Sequence, residues 1–191
     1  MKVLFATHNE AKKKMYNEKL KKCNLEIVGL DDLNIDVDVE ETGNNSKENA
    51  IMKAREYYKI AKIPTIAIDD GLELDNVPEN LQPGTHVRRI EGEKRATDEE
   101  VIEHYISMVK KYGENGILRG RFNKCMAIAL NEEDIRCMVF PTERIFHSNV
   151  IKDYDKGYPL GAISEKASEC ISLEKENDEN LLSFIMESLS L

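Results

Sequence analysis

EETGNNSKENAIMKAREYYKIAKIPTIAIDDGLELD, residues 40–75, sets an acidic turn, a helix carrying a lysine and an apolar strand in close succession. Pro64-Thr65-Ile66-Ala67-Ile68 has the length and β-branched content of a buried strand, and Asp69-Asp70-Gly71 reads as the turn that ends it. Carboxylates at the carboxyl end of a strand in an α/β sheet stand where such sheets usually bind ligands. Upstream, Asn45-Ser46-Lys47-Glu48 fits a capping box, after which Ala50, Ile51, Ala54, Tyr57, Tyr58 and Ala61 recur at helical spacing. Asn49 and Lys53, four apart, lie together beside that apolar face.

A second acidic turn, Glu40-Glu41-Thr42-Gly43, precedes the cap. Hard cations such as magnesium take carboxylate oxygens, one or two from the protein, with phosphate and water completing an octahedron. Glu41 and Asp69 are the candidates to supply them, and Lys53 the candidate to meet phosphate. Two carboxylates about 4 Å apart repel by roughly 4 kcal/mol at an effective dielectric near 20, a conflict that a bound cation removes. Taken singly, Asp-Asp-Gly is also read as a solvated turn and Lys53 as a solvated charge.

The 191 residues, 41% of them hydrophobic, suffice for one well-buried core, and the expectation is a single domain spanning residues 1–191. There is no run of eighteen apolar residues, and MKVLFATHNEAKKK turns polar too soon for a signal peptide. The expectation is a soluble, cytoplasmic protein that engages no membrane. Cys23, Cys125, Cys137 and Cys170 are widely spaced without zinc-like partners and are expected as reduced thiols. A net charge of −9 argues against binding nucleic-acid backbone, while a small polyanion held through a metal remains compatible.

Lys2 to Ala6 reads as a strand, and Thr7-His8-Asn9-Glu10 opens a helix through Ala11–Lys22. Such a strand, polar turn and helix offer backbone N–H groups to phosphate. Thr7 and Asn9 can hydrogen-bond it, and Lys12 sits in the first helical turn, against the helix dipole. Leu25–Leu30 reads as a strand, Asp31–Glu40 as an extended edge segment, and Asn76–Gly92 as a long loop containing Arg88 and Arg89. Thr97-Asp98-Glu99-Glu100 caps a helix that Gly113 closes. Leu118–Leu130 and Ile135–Phe140 flank a hairpin turn, Arg144–Ile151 offers a third antiparallel strand, and Asn177–Leu191 is an amphipathic helix. The order predicts an α/β fold: a mixed central sheet with flanking helices, in two lobes around a cleft.

T-x-N-x-x-K at Thr7–Lys12, EETG with ENAIMKAR at Glu40–Arg55, IAIDDGLELD at Ile66–Asp75, Pro83-Gly84, Arg89 and ATDEE from Ala96 together resemble the inosine-triphosphate pyrophosphatase, or Ham1-like, family. That family hydrolyses non-standard purine nucleoside triphosphates to monophosphate and pyrophosphate. The resemblance implies that Thr7, Asn9, Lys12 and Lys53 bind phosphate, that Glu41 and Asp69 hold magnesium, and that Asp69 is the general base. It further implies substrate contacts from Asp70, Tyr158 and Lys166, and a homodimer.

The chain also departs from the pattern. Where the family reads DDSGL, Ile68-Asp69-Asp70-Gly71-Leu72 replaces the first carboxylate with Ile68 and the serine with Asp70. The GFGYDP loop is reduced to Lys156-Gly157-Tyr158-Pro159, and the SHR motif after Glu165-Lys166 is replaced by Ala167-Ser168-Glu169-Cys170. Altered base choice, a different small phosphorylated substrate, and a catalytically silent nucleotide-binding protein all remain open at this point.

Overall fold

The computed structural model describes residues 1–90, 95–167 and 171–190. In chain order its elements are β1 (Lys2–Phe5), α1 (Glu10–Lys21), β2 (Glu26–Gly29), α2 (Ser46–Ala61), β3 (Thr65–Leu74), α3 (Asp98–Tyr112), β4 (Ile117–Ala129), β5 (Ile135–His147), β6 (Ser164–Lys166) and α4 (Ile171–Ser188). The strands form one mixed sheet in the order β2-β1-β3-β4-β5-β6, flanked by helices. β1 runs parallel to β2 and β3, and β5 antiparallel to β6.

The chain divides into two compact units. In the first (Met1–Asp70, Lys124–Phe140 and Glu174–Leu191) the sheet is covered on both faces. Period-2 alternation sends Val3 and Phe5, Ile66 and Ile68, and Met126 and Ile128 to the face packed by Tyr16 and Leu20 of α1 and Leu181 and Ile185 of α4. The intervening Leu4, Ala67 and Ala127 face Ala50, Ala54 and Tyr57 of α2. Small residues recur on that second face, where helix and sheet backbones approach closely.

β3 continues through Asp69-Asp70-Gly71 to Leu74, so the turn expected there does not form. Turn propensity of Asp and Gly is a local preference, and packing of the strand overrides it. The edge segment expected over Asp31–Glu40 is instead a 3-10 turn at Asp31–Leu33 followed by irregular chain. β5 runs unbroken from Ile135 to His147 through Pro141 and absorbs the start of the separate strand expected from Arg144. α4 begins at Ile171, earlier than the expected Asn177. The hairpin turn between β4 and β5 is held by the Asn131 side chain, which accepts from the backbone N–H groups of Glu133 at 2.8 Å and Asp134 at 2.7 Å.

In the second unit (Gly71–Asn123 and Pro141–Leu173) α3 lays Val101, Tyr105 and Val109 against Leu72, Leu118 and Phe146. Its expected capping box is present: Thr97 Oγ1 accepts from Glu100 N at 3.2 Å, and Glu100 Oε2 from Thr97 N at 2.7 Å. No described helix is long and apolar enough to cross a membrane.

Gly120 on β4 lies against backbone: a Cβ there would stand 2.7 Å from the Glu73 carbonyl oxygen and 3.1 Å from Phe146 Cε2. Gly120→Ala is expected to destabilise the fold by about 1–3 kcal/mol, read as a lowered urea midpoint. An unchanged midpoint would contradict this packing.

Candidate active site

The alternation of β3 decides where its two adjacent carboxylates go. Asp69 follows the parity of Ala67 and turns to α2, while Asp70 follows Ile66 and Ile68 and turns to α1. β1 pairs with β3 only through Leu4↔Thr65 and Phe5↔Ile66, so beyond Ile66 that flank of β3 has no ladder partner from β1. Lys12 Nζ fills part of it, donating to the Ile68 carbonyl oxygen at 3.3 Å.

On the α2 side, Lys53 Nζ lies 2.9 Å from Asp69 Oδ1 and 2.6 Å from Glu41 Oε1. Two carboxylates thus converge on one cation. Asn49, one helical turn before Lys53 and 1% exposed, extends its amide to Asp69 Oδ2 at 3.4 Å. The Asn49 Oδ1 atom in turn accepts from Gly43 N at 2.8 Å, tying the Glu41 turn to the helix. α2 itself starts at Asn45, whose side chain accepts from Glu48 N at 2.9 Å. Glu48 does not reach back to the N-cap backbone as in the expected capping box; its carboxylate accepts from Asn44 N at 2.9 Å.

On the α1 side, Lys12 Nζ pairs with Asp70 Oδ2 at 2.8 Å. Lys124 of β4 shares the parity of Met126 and Ile128, is 5% exposed, and its charge acts on Asp70 as well. Asp70 Oδ1 is buried with no hydrogen-bond partner among the described residues. Asn9 caps α1, accepting from Ala11 N at 2.9 Å and Lys12 N at 3.3 Å, and Thr7 Oγ1 accepts from Asn9 N at 3.1 Å. Lys13, by contrast, is held by Glu10 and Asp31, both at 2.7 Å.

The two carboxyls titrate in opposite directions. Burial pushes Asp69 up, and the charges of Lys53 and Lys12 do not cancel that effect. Burial also raises Asp70, but Lys12 and Lys124 outweigh it and hold the group below the usual carboxylate range. Burial lowers the Lys53 ammonium, while Asp69 and Glu41 overcome it and leave the ammonium above its ordinary value. One carboxyl disposed to accept a proton beside one kept ionised is a common acid–base arrangement.

The structure therefore brings Glu41, Lys53 and Asp69 into one network, with Lys12 and Asp70 adjoining it through β3. Tyr158 and Lys166 belong to the second unit: Tyr158 N donates to the Asp155 carbonyl at 2.8 Å, and exposed Lys166 ends β6. There Asp98 accepts from Gly157 N at 2.8 Å and pairs with Arg88 at 2.6 Å, anchoring the Lys156–Pro159 segment to the start of α3. Asn49 and Lys124 are missing from the residues assigned to the site by sequence. Strand parity on Lys124-Cys125-Met126 would have found the second. Among the cysteines, Cys23, Cys125 and Cys137 are free, whereas Cys170 and the Ser168–Cys170 departure lie outside the described residues.

A model of the Ham1 family matches residues 3–144. A dITP/XTP pyrophosphatase of Bacillus subtilis (strain 168) is 28% identical over 179 residues, covering 93% of this chain and 88% of the relative. A protein of the same description from Escherichia coli (strain K12) is 32% identical over 148 residues, covering 78% of this chain and 70% of the relative. A HAM1 protein from Coxiella burnetii, at 24% identity, shares the fold with a TM-score of 0.72 over 98% of this chain and 99% of its own. The Ham1 protein of Staphylococcus aureus does so with a TM-score of 0.69, at 24% identity and 98% coverage of both chains. With the family model spanning most of its length, the chain belongs to the Ham1 family.

Proposed function

We propose that this protein is a magnesium-dependent nucleoside-triphosphate pyrophosphatase, cleaving a non-standard purine nucleoside triphosphate to the monophosphate and pyrophosphate, and acting as a homodimer. The observation that carries the reading is the convergence of Glu41 and Asp69 on one partly buried ammonium, in a chain whose relatives are described as dITP/XTP pyrophosphatases.

The donor set fits magnesium. Two carboxylate oxygens already meet at a cation, and magnesium takes one or two carboxylates from a protein. Glu41 and Asp69 would hold the ion, and substrate oxygens and water would complete its shell. Bound there, the ion would neutralise phosphate charge and act as a Lewis acid on the phosphoryl oxygens.

The protein's own groups supply the rest. Asp69 accepts the proton of the attacking water. Asn49 and the Gly43 N–H behind it orient that carboxylate. Lys53 and Lys12 present positive charge to the phosphate chain, stabilising what develops as the anhydride bond breaks. The N-terminus of α1, capped by Asn9 beside Thr7, adds the favourable end of the helix dipole.

Pyrophosphate release from a panel of purine nucleoside triphosphates is the direct test, and a panel yielding none would end the proposal. Asp69→Asn is expected to lower kcat by about 10²–10⁴-fold. EDTA is expected to abolish turnover and added magnesium to restore it.

The same carboxyl has a stability signature in metal-free buffer. The folded chain holds the Asp69 proton more tightly than the ordinary carboxylate value of 3.8 allows, so this stabilisation is full below 3.8 and is lost as pH rises through the folded value. Asp69→Asn escapes that loss. Its melting temperature is expected to exceed that of the wild type at neutral pH, with the gap closing towards acid. A variant less stable at neutral pH would contradict the assignment.

A further inference from the structure

Lys12 already has an anion. Its ammonium lies 2.8 Å from Asp70 Oδ2 and donates to the Ile68 carbonyl oxygen at 3.3 Å, leaving little of its hydrogen-bonding capacity for a phosphate. Lys53 is in a similar position with Glu41 and Asp69, but those two carboxylates are the pair that a divalent cation would take up. Nothing comparable frees Lys12, because Asp70 lies on the opposite side of β3 from Asp69.

We infer that Asp70 is a built-in competitor for the phosphate chain: its carboxylate occupies Lys12, and a polyphosphate gains that lysine only by displacing it. Lys12 and Lys53 are each already ion-paired, Lys12 with Asp70 and Lys53 with Glu41 and Asp69. A polyanion therefore meets no uncompensated ammonium at either lysine, and at Lys12 it is Asp70 that compensates. Asp70 does not depend on the charge of Lys12 alone. Lys124 acts on it from the same face of the sheet, and Asp70 Oδ1 is buried with no partner among the described residues, an acceptor position still to be filled. Asp70 thus acts on specificity through ligand charge, with a penalty that grows as the phosphate chain lengthens.

This role for Asp70 rests on Lys12 binding phosphate, as proposed above. The test uses calorimetric titration with orthophosphate, pyrophosphate and inorganic triphosphate, in magnesium and at fixed ionic strength. The proteins are the wild type, Asp70→Asn and Asp70→Ser, each also on a Lys12→Met background. The Asn variant keeps the side-chain shape, so that one folded protein remains if serine leaves a void. Both variants are expected to bind triphosphate about tenfold or more tightly, with a smaller gain for pyrophosphate and a smaller one still for orthophosphate. The gain should vanish on the Lys12→Met background. In steady-state hydrolysis KM should fall by more than kcat changes.

Equal or weaker triphosphate binding by both variants overturns the inference, as does a gain that survives Lys12→Met. If the wild type releases pyrophosphate and the Asp70 variants bind like it, the role of Asp70 falls and the proposed function stands. If neither the wild type nor the Asp70 variants bind triphosphate, and none releases pyrophosphate, both fall together.

Discussion

The two-residue period of β3 is the constraint on which the candidate site depends. Asp69 and Asp70 are covalent neighbours, and on a flexible turn they would share one environment and repel each other. On a strand they are sent to opposite faces, one to Lys53 and Asn49 on α2, the other to Lys12 on α1 and Lys124 on β4. Each buried carboxylate is therefore matched by a cation delivered from a different direction. The helices can deliver those cations because their apolar residues pack tightly on the same strand, Ala50 and Ala54 on one side and Tyr16 and Leu20 on the other.

The first unit's architecture was largely legible in the sequence because its signals agree. The runs at Lys2–Ala6 and Pro64–Ile68 are short, apolar and β-branched, while α1 and α2 open on cap residues and α2 carries helical periodicity as well. Grouping Glu41, Lys53 and Asp69 required only the observation that two acidic segments flank a helix bearing a lysine. What escaped was the strand's continuation. Asp-Asp-Gly and Pro141 are local breakers, and reading them as ends cut β3 and β5 short. A breaker reports preference in an isolated chain; neighbouring strands that hydrogen-bond and pack on the segment decide otherwise. The error had consequences, because a turn at Asp69-Asp70 conceals the division of labour between the two carboxylates.

Burial gives this site its chemical character and a thermodynamic cost. Asp69 is 5% exposed, and its carboxyl is held away from its ordinary value even with Lys53 beside it. Removing the Lys53 charge would leave Asp69 buried and uncompensated, which typically costs about 3–5 kcal/mol, whereas without the Asp69 charge Lys53 keeps Glu41 as its partner. Glu41, Lys53, Asp69 and Asn49 consequently behave as one unit, and their individual effects are not expected to add. The surface pairs Lys59–Glu56 and Lys62–Glu132 have no such coupling and contribute little to the fold.

The unbroken run of β3 also limits how this site can diversify over evolutionary time. Exchange of the side chain at position 70 alters charge and leaves every other face assignment intact. Insertion or deletion of one residue upstream in the strand would swap the faces of all that follows, pointing Leu72 and Leu74 away from the core and reversing the partners of both acids. Lineages descended from such a chain can retune the pocket by point replacement, whereas length variation is confined to the connecting loops.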